Sequence, residues 1–483
     1  MSNDAVSKIY KGVTWKWLER IGVQGTKFCI QIILARLLSP EEYGVMALLA
    51  VFIAVADILV QGGLGAALIQ KLNVDDRDFS TVLWTGLGIS TAIYAILFLT
   101  APLIGKFYGK DIIVPVLRVL ALVIFIVAIN SIQVAKLSRE VSFKLIFLGN
   151  TIANVLSGVV AIIVAYLGAG VWALVAQQIL SYLFYTVFLA VKVKIKIGGF
   201  SKEKLKVLFS YGWNIALANV IATLTENLYN LIIGRAYSIE MAGYYSRGQQ
   251  FPLAICNSIN QTISGVMFPV MSSMQEDVES VKSVTRKTTS VSTFVVFPII
   301  VGLAVVAEPV VKLLLTDKWL PCVPFLQLEC AFYATLPMMY AANQAIKAMG
   351  QAKVSLIIET IKTILTVITM LVFYKYVSIY IIVGLRVVIS LVIILIQSAF
   401  SKKYIGYTLI ERTADILPNL FAALSMGILV YFVGLSALPT TFSLILQLIT
   451  GIIAYVGISI LTQNKNIIFI IGMIVNKENG GGK

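Results

Sequence analysis

Apolar residues run through the chain in long blocks, broken by short polar or Pro/Gly segments, and the blocks recur at the length of a bilayer. A membrane-spanning helix needs about 20 predominantly apolar residues. Reading the blocks between charged and Pro/Gly breaks predicts 14 spans, numbered here in order. Their approximate limits are residues 12–38, 42–69, 79–105, 113–136, 142–167, 170–191, 205–234, 240–272, 284–310, 321–347, 353–374, 377–400, 414–436 and 440–462. No connection is long enough for an extramembrane domain, and the tail 476–483 is polar and Gly-rich. The pattern predicts an all-α polytopic membrane protein.

Several spans carry polar residues at helical spacing. In span 1, Lys16, Arg20, Gln24, Lys27 and Gln31 fall 4, 4, 3 and 4 residues apart, on one helix face. A charge at mid-bilayer costs about 2.5–3.5 kcal/mol on insertion scales, so Arg20 and Lys27 facing lipid would cost about 5–7 kcal/mol together. A water-filled interior is the cheaper arrangement, although Lys16 can snorkel to the surface. Span 8 has Arg247, Gln250, Asn257, Gln261 and Ser264. Span 10 has Glu329, Tyr333, Tyr340, Gln344 and Lys347, and span 11 has Glu359, Lys362 and Thr366. Glu359 and Lys362, at i,i+3, are able to neutralise one another. Asp57 in span 2 is an intramembrane acid: a candidate proton site, or an ion-pair partner for Arg20 or Lys27. Pro102, Pro252, Pro269, Pro298, Pro309 and Pro337 mark ordinary kinks or hinges.

An internal repeat organises these spans. Arg36-x-x-Ser39-x-Glu41-x-x-Gly44 closes the first hairpin, and Arg235-x-x-Ser238-x-Glu240-x-x-Gly243 closes the hairpin between spans 7 and 8, an offset of 199. Val114-Pro115-Val-Leu matches Val323-Pro324-Phe-Leu at an offset of 209. Spans 1–6 and 7–12 therefore read as two copies of one unit. An even number of spans gives both copies the same orientation, with a pseudo-symmetry axis along the membrane normal. The domain expectation is a six-helix lobe over 1–198, a second over 199–410, and two further helices and a tail over 411–483. Subtracting the offset sets Asn219, Thr223, Glu226 and Asn230 of span 7 against Arg20, Gln24, Lys27 and Gln31 of span 1. Two polar faces so related are expected to look across one cavity.

Composition confirms the class and removes alternatives. Of 483 residues, 59% are apolar and 13% charged, against roughly 45–50% and about 25% in soluble domains. A net charge of +15 would suggest nucleic acid in a soluble protein, but here membrane topology explains it. With the N-terminus inside, the inner connections and termini carry about 24 Lys and Arg, including Lys192, Lys194, Lys196, Lys202, Lys204, Lys206 and Arg412. The outer loops carry about seven. That asymmetry places both ends inside. The run Lys192–Lys206 is the expected linker between lobes, as readily a solvated inner loop as a lipid-binding one. The first apolar run is too long for the core of a cleavable signal peptide.

The chain has no histidine, and Cys29, Cys256, Cys322 and Cys330 form no CxxC pair. A metal site, a disulfide framework and His-dependent catalysis are thereby disfavoured. Asp76-Arg-Asp78 matches the DxD of metal-dependent glycosyltransferases but sits in a short loop without a nucleotide-binding domain. Gly62-Gly63-x-Gly65 lies at a helix end with no strand before it, unlike a phosphate loop. Trp15, Trp17 and Trp319 fall where interfacial belt residues are ordinary.

The segment Ile33-Leu-Ala-Arg-Leu-Leu-Ser-Pro-Glu-Glu-Tyr-Gly-Val-Met46 resembles the polysaccharide transporter branch of the MOP flippase superfamily. So do Leu137-Ser-Arg-Glu-Val-Ser-Phe-Lys144, Leu167-Gly-Ala-Gly-Val-Trp-Ala-Leu-Val175 and Ile233-Gly-Arg-Ala-Tyr-Ser238. The likeness spans about residues 8–470 and is to Wzx-like exporters of the colanic or teichuronic acid type. It implies a V-shaped pair of six-helix lobes around a cavity, with helices 13 and 14 appended, in a bacterial plasma membrane. It also implies flipping of an undecaprenyl-diphosphate-linked oligosaccharide to the outer leaflet. Related lipid II flippases place cavity arginines on helices 1, 2 and 8; Arg20/Lys27 and Arg247 match the first and third, whereas helix 2 offers Asp57. The resulting assignment puts the diphosphate on Arg20, Lys27 and Arg247. The sugars go to Gln24, Gln31, Asn230, Asn257, Gln261 and Tyr340, and a coupling H⁺ or Na⁺ to Asp57, Glu226 or Glu359. No other cofactor and no nucleic acid are expected. The expected partners are the lipid-linked substrate, membrane lipids, and the polymerase and glycosyltransferases of the pathway, around a monomer. Rival readings are a cation-coupled multidrug exporter, disfavoured by the cationic first stripe, a polymerase or ligase, disfavoured by short outer loops, and an ungated scramblase.

Overall fold

The computed structural model describes residues 25–61, 63–71, 74–140, 142–374, 376–436 and 438–468. They are helical almost throughout, with no strand among them. In chain order the helices are α1 (residues 25–37), α2 (Pro40–Gln61), α3 (Leu64–Gln70), α4 (Asp76–Tyr108), α5 (Ile113–Leu120), α6 (Val123–Arg139), α7 (Phe143–Tyr166), α8 (Val171–Lys192) and α9 (Lys202–Ala236). Then follow α10 (Ile239–Ser273), α11 (Val278–Val305), α12 (Ala307–Leu315), a 3-10 turn (Asp317–Cys322), α13 (Val323–Ala348), α14 (Ala352–Phe373), α15 (Ile379–Ile405), α16 (Leu409–Gly434) and α17 (Thr440–Leu461). Ten segments among the described residues are long and apolar enough to cross a membrane. Expected spans 2 to 14 fall on helix, span 1 is helical over residues 25–37 while its residues 12–24 lie outside the described residues, and the ten include neither α1, α9, α10 nor α13. Those helices carry most of the polar positions singled out above. α9 and α10 are the least apolar of the long helices.

Three expected spans are each split in two. Gly63, with φ +64°, separates α2 from α3, which accounts for the glycine cluster as a helix break rather than a phosphate loop. Span 4 divides into α5 and α6, and span 9 into α11 and α12. The prolines of the repeated Val-Pro element, Pro115 and Pro324, both sit in the first turn of their helices, where a missing N–H leaves no bond unmade.

The chain divides into two compact units, Met1–Gly243 and Tyr244–Lys483. In the first, α7 packs along α8, α2 against α9, and α4 against α6. A core of Leu64, Leu68, Phe79, Val82, Leu83 and Ile132 sits beneath α3. In the second, α11 lies between α13 and α16, α17 covers α16, and α15 packs on α13 and α14. Phe294, Phe297, Met426, Val430 and Tyr455 form its largest described core. In both units large apolar side chains such as Leu99, Leu103, Ile452 and Ile453 point outward, as lipid contact requires.

The repeated hairpin motif has a local physical explanation. Ser39 caps α2: its Oγ accepts from the Glu42 N–H at 3.3 Å, while the Glu42 carboxylate accepts from the Ser39 N–H at 2.6 Å. The capping acid is Glu42, one residue beyond the repeat's Glu41, which instead pairs with Lys110 at 2.5 Å. Ser238 repeats the cap on α10, accepting from the Met241 N–H at 3.0 Å. The two glycines then meet reciprocally. A Cβ on Gly44 would lie 1.8 Å from the Ile239 carbonyl oxygen, and one on Gly243 would lie 2.0 Å from the Pro40 carbonyl oxygen. Each glycine faces the carbonyl four residues before its counterpart, so the two helix starts cross backbone to backbone.

Candidate functional site

Of the residues expected to bind substrate in the first unit, Arg20 and Gln24 lie outside the described residues. Lys27 is exposed on α1, and Gln31 one turn later is half-buried. On α9, Glu226 is exposed, while Asn230 is buried with its Oδ1 lacking a hydrogen-bond partner among the described residues. Asp57, half-buried in α2, accepts a hydrogen bond on Oδ2 from the Tyr182 hydroxyl of α8 at 3.2 Å. Its Oδ1 is buried without a hydrogen-bond partner among the described residues. An acid with one oxygen held and one unmatched leaves room for a proton.

In the second unit Arg247 is buried near the start of α10. Its Nη1 donates to Gln250 one turn along, and its guanidinium lies 5.5 Å from the centroid of the Trp319 ring. Trp319 is therefore not an interfacial belt residue. The 3-10 turn folds it completely inside, where it stands edge-on to Tyr244 at 6.0 Å and gives Arg247 an aromatic platform. Trp15 and Trp17 lie outside the described residues, as does the side chain of Gln261. Asn257 is exposed on α10 and Tyr340 half-buried on α13. Glu359 forms an ion pair with Lys362 on the same helix face, so its charge is neutralised locally.

The sequence reading passed over the most buried ion pair of this unit. Glu329 of α13 is fully buried, and Arg386 of α15 approaches its two oxygens at 2.8 and 2.7 Å. The same nitrogen donates to the Tyr245 hydroxyl at 3.0 Å, and the guanidinium lies 3.8 Å from the Phe332 ring centroid. The signal was present: Arg386 is a lone charge in an otherwise apolar stretch of span 12, as Glu329 is in span 10. Arg412, counted above among inner-loop cations, is 1% exposed inside α16. It donates to Gln397 and Ser401 of α15 at 3.2 Å each, and it stacks on Tyr407. A second polar knot joins the end of α17 to its neighbours. Asn419 donates to Thr293 at 2.9 Å, and Asn464 and Asn466 donate to the Asn419 carbonyl at 2.8 and 3.2 Å.

The Asp76-Arg-Asp78 element is structural. Asp75 and Asp78 form a capping box on α4, and buried Asp78 takes Lys71 at 2.7 Å and Lys204 at 3.4 Å. The Lys204 ammonium, 2.5 Å from Asp75, holds that carboxyl at about 2, below the usual carboxylate range. No group of three or more metal-ligating side chains occurs among the described residues.

Helices of this order and packing form an all-α, multi-pass membrane fold, and solved transporters share it. The lipid II flippase MurJ in an inward closed conformation superposes with a TM-score of 0.75 at 15% identity, covering 94% of this chain and 99% of that one. A family model described as polysaccharide biosynthesis protein matches residues 33–324. The succinoglycan biosynthesis transport protein ExoT of Rhizobium meliloti (strain 1021) is 26% identical over 72% of this chain and 70% of its own length. The lipopolysaccharide biosynthesis protein WzxC of Escherichia coli (strain K12) is 25% identical over 74% of this chain and 73% of its own. The chain belongs to this polysaccharide biosynthesis family, within the polysaccharide transporter branch of the MOP flippase superfamily that the segment from Ile33 to Met46 resembles.

Proposed function

We propose that the protein flips undecaprenyl-diphosphate-linked oligosaccharide repeat units from the cytoplasmic to the outer leaflet of a bacterial plasma membrane, by alternating access, for surface polysaccharide assembly. Both termini are cytoplasmic, and the protein is a carrier rather than an enzyme. The observation that carries this reading is family membership: relatives along most of the chain are named for transport or biosynthesis of surface polysaccharides.

The chemistry is consistent with it. A diphosphate must lose hydration to cross a low-dielectric layer, and fixed cations in a hydrated interior replace that hydration. Arg20, Lys27 and Arg247 supply the cations, and Arg247 is the best oriented of the described ones because Gln250 and Trp319 fix its plane. Gln24, Gln31, Asn230, Asn257, Gln261 and Tyr340 supply donors and acceptors for sugar hydroxyls, while the polyprenyl chain stays in lipid. Among Asp57, Glu226 and Glu359, the coupling ion falls to Asp57. Glu359 is neutralised by Lys362, whereas Asp57 keeps a buried oxygen without a partner, and a proton there would remove an intramembrane charge.

The test is complementation of a deletion strain, scored by accumulation of lipid-linked repeat units. Wild type clears them, whereas Lys27→Ala and Arg247→Ala leave them accumulated at normal protein levels. Full clearance by both variants refutes the diphosphate assignment.

A further inference from the structure

The linker between α8 and α9 is a fixed strap rather than a solvated loop. Residues 193–201 run extended across the start of α4, and their backbone is bound at successive points. The Lys194 carbonyl accepts from Lys136 Nζ at 2.6 Å. The Gly198 N–H donates to Ser80 Oγ at 2.6 Å, its carbonyl accepts from the Trp84 indole at 3.2 Å, and the Ser201 N–H donates to Thr81 Oγ1 at 3.2 Å. An extended chain alternates its sides. Val193 and Ile195 turn into the core, and Lys194 and Lys196 turn out.

Charge and apolarity on the outer side are both unmatched. Lys192, Lys194, Lys196, Lys202 and Lys206 are exposed, and none has a side-chain hydrogen bond or ion pair among the described residues. Lys204 is set apart from them by its bonds to Asp75 and Asp78. Between the lysines, Ile197 is 63% and Phe200 53% exposed, beside the outward body of Trp84. Large apolar side chains held rigidly among cations are costly in water. They are favourable where the ring enters the acyl boundary and the ammonium groups meet phosphate.

We propose that this strap is a binding surface for anionic phospholipid headgroups of the adjoining leaflet, the cytoplasmic one given both termini inside. The lysines supply the electrostatic attraction, and Ile197, Phe200 and Trp84 supply the insertion. Because the backbone is already fixed, ordering it on contact costs little. The surface is independent of the transported substrate, so its test uses no transport readout.

The purified full chain is equilibrated with equimolar phosphatidylglycerol and phosphatidylcholine, and retained lipid is counted by native mass spectrometry. Each lysine near an anionic surface is worth about fivefold in lipid binding. A variant with Lys192, Lys194, Lys196, Lys202 and Lys206 all changed to Gln should therefore lose the preference for phosphatidylglycerol by at least about tenfold. The matched variant with Lys347, Lys353, Lys402, Lys403 and Lys465 changed to Gln should keep it. A fluorescent label at Phe200→Cys, in a Cys29→Ser background because that thiol is exposed, should be quenched by brominated phosphatidylglycerol. Retained preference in the strap variant, equal loss in both lysine variants, or an unquenched label each overturns the proposal.

Discussion

Replacing Arg386 with Ala isolates the energetics of the buried pair in the second unit. The substitution removes one nitrogen that straddles both Glu329 oxygens at 2.7–2.8 Å, its bond to Tyr245 at 3.0 Å, and the cation over the Phe332 ring. Glu329 is fully buried, so no water replaces the lost donor. Breaking a buried pair from one side typically costs about 3–5 kcal/mol, because the surviving charge is left uncompensated. Removing both charges together has a different consequence. Glu329→Leu with Arg386→Met keeps volume and apolarity, and Tyr245 keeps a donor in Gln249 at 3.4 Å. The double change should therefore cost less than about 1.5 kcal/mol. Unfolding of the purified protein by SDS titration in mixed micelles, run as a double-mutant cycle, measures both numbers. A single variant within about 1 kcal/mol of wild type refutes the reasoning. So does a double variant as unstable as the sum of the singles.

Gly44→Ala and Gly243→Ala should each destabilise by about 3 kcal/mol or more. The new methyl meets a backbone carbonyl at 1.8 or 2.0 Å, which outweighs the helix-propensity gain of up to about 1 kcal/mol that Ala normally brings. Gly88→Ala in α4, with nothing within 4 Å, should be neutral or stabilising, and SDS titration of the three purified variants measures the difference. Asp75, with its carboxyl held at about 2 by Lys204 against an ordinary value near 4, supports the start of α4 fully above the ordinary value and loses that contribution only as pH falls through about 2. Carbonyl NMR of labelled Asp75 should therefore show an ionised carboxylate at pH 3, and Lys204→Gln should move the titration up toward the ordinary range.

Particular residues show what could be read in one dimension. Asp57 stood out because an acid within an apolar run is costly wherever the chain folds, and Arg247 and Gln250 fell one turn apart and are bonded one turn apart. Glu359 and Lys362 were legible for the same reason, since i,i+3 neighbours meet on any helix. Asp76-Arg-Asp78 looked like a chemical motif and is a helix cap with two lysines on it, one of them Lys204 from a distant segment. Trp319 looked interfacial because it flanks an apolar run; a short 3-10 turn, which hydropathy does not register, buries it instead.

The sequence by itself determined the helical class, the approximate positions of the described long helices and the faces on which polarity collects. These follow from bilayer thickness and helix periodicity, which act on neighbouring residues. It also determined that Glu329 in span 10 and Arg386 in span 12 must be compensated, since the cost of a charge in hydrocarbon does not depend on its partner, whereas it left Arg412 in an inner connection and only packing buries it. Only the tertiary structure decided who compensates them: Arg386 for Glu329 across 57 residues, and Gln397 and Ser401 for Arg412. Likewise the repeat marked Gly44 and Gly243, but their reason is a crossing of two helix starts nearly 200 residues apart in the chain. Partner choice and close approach are properties of packing between distant segments, where no local periodicity carries the information.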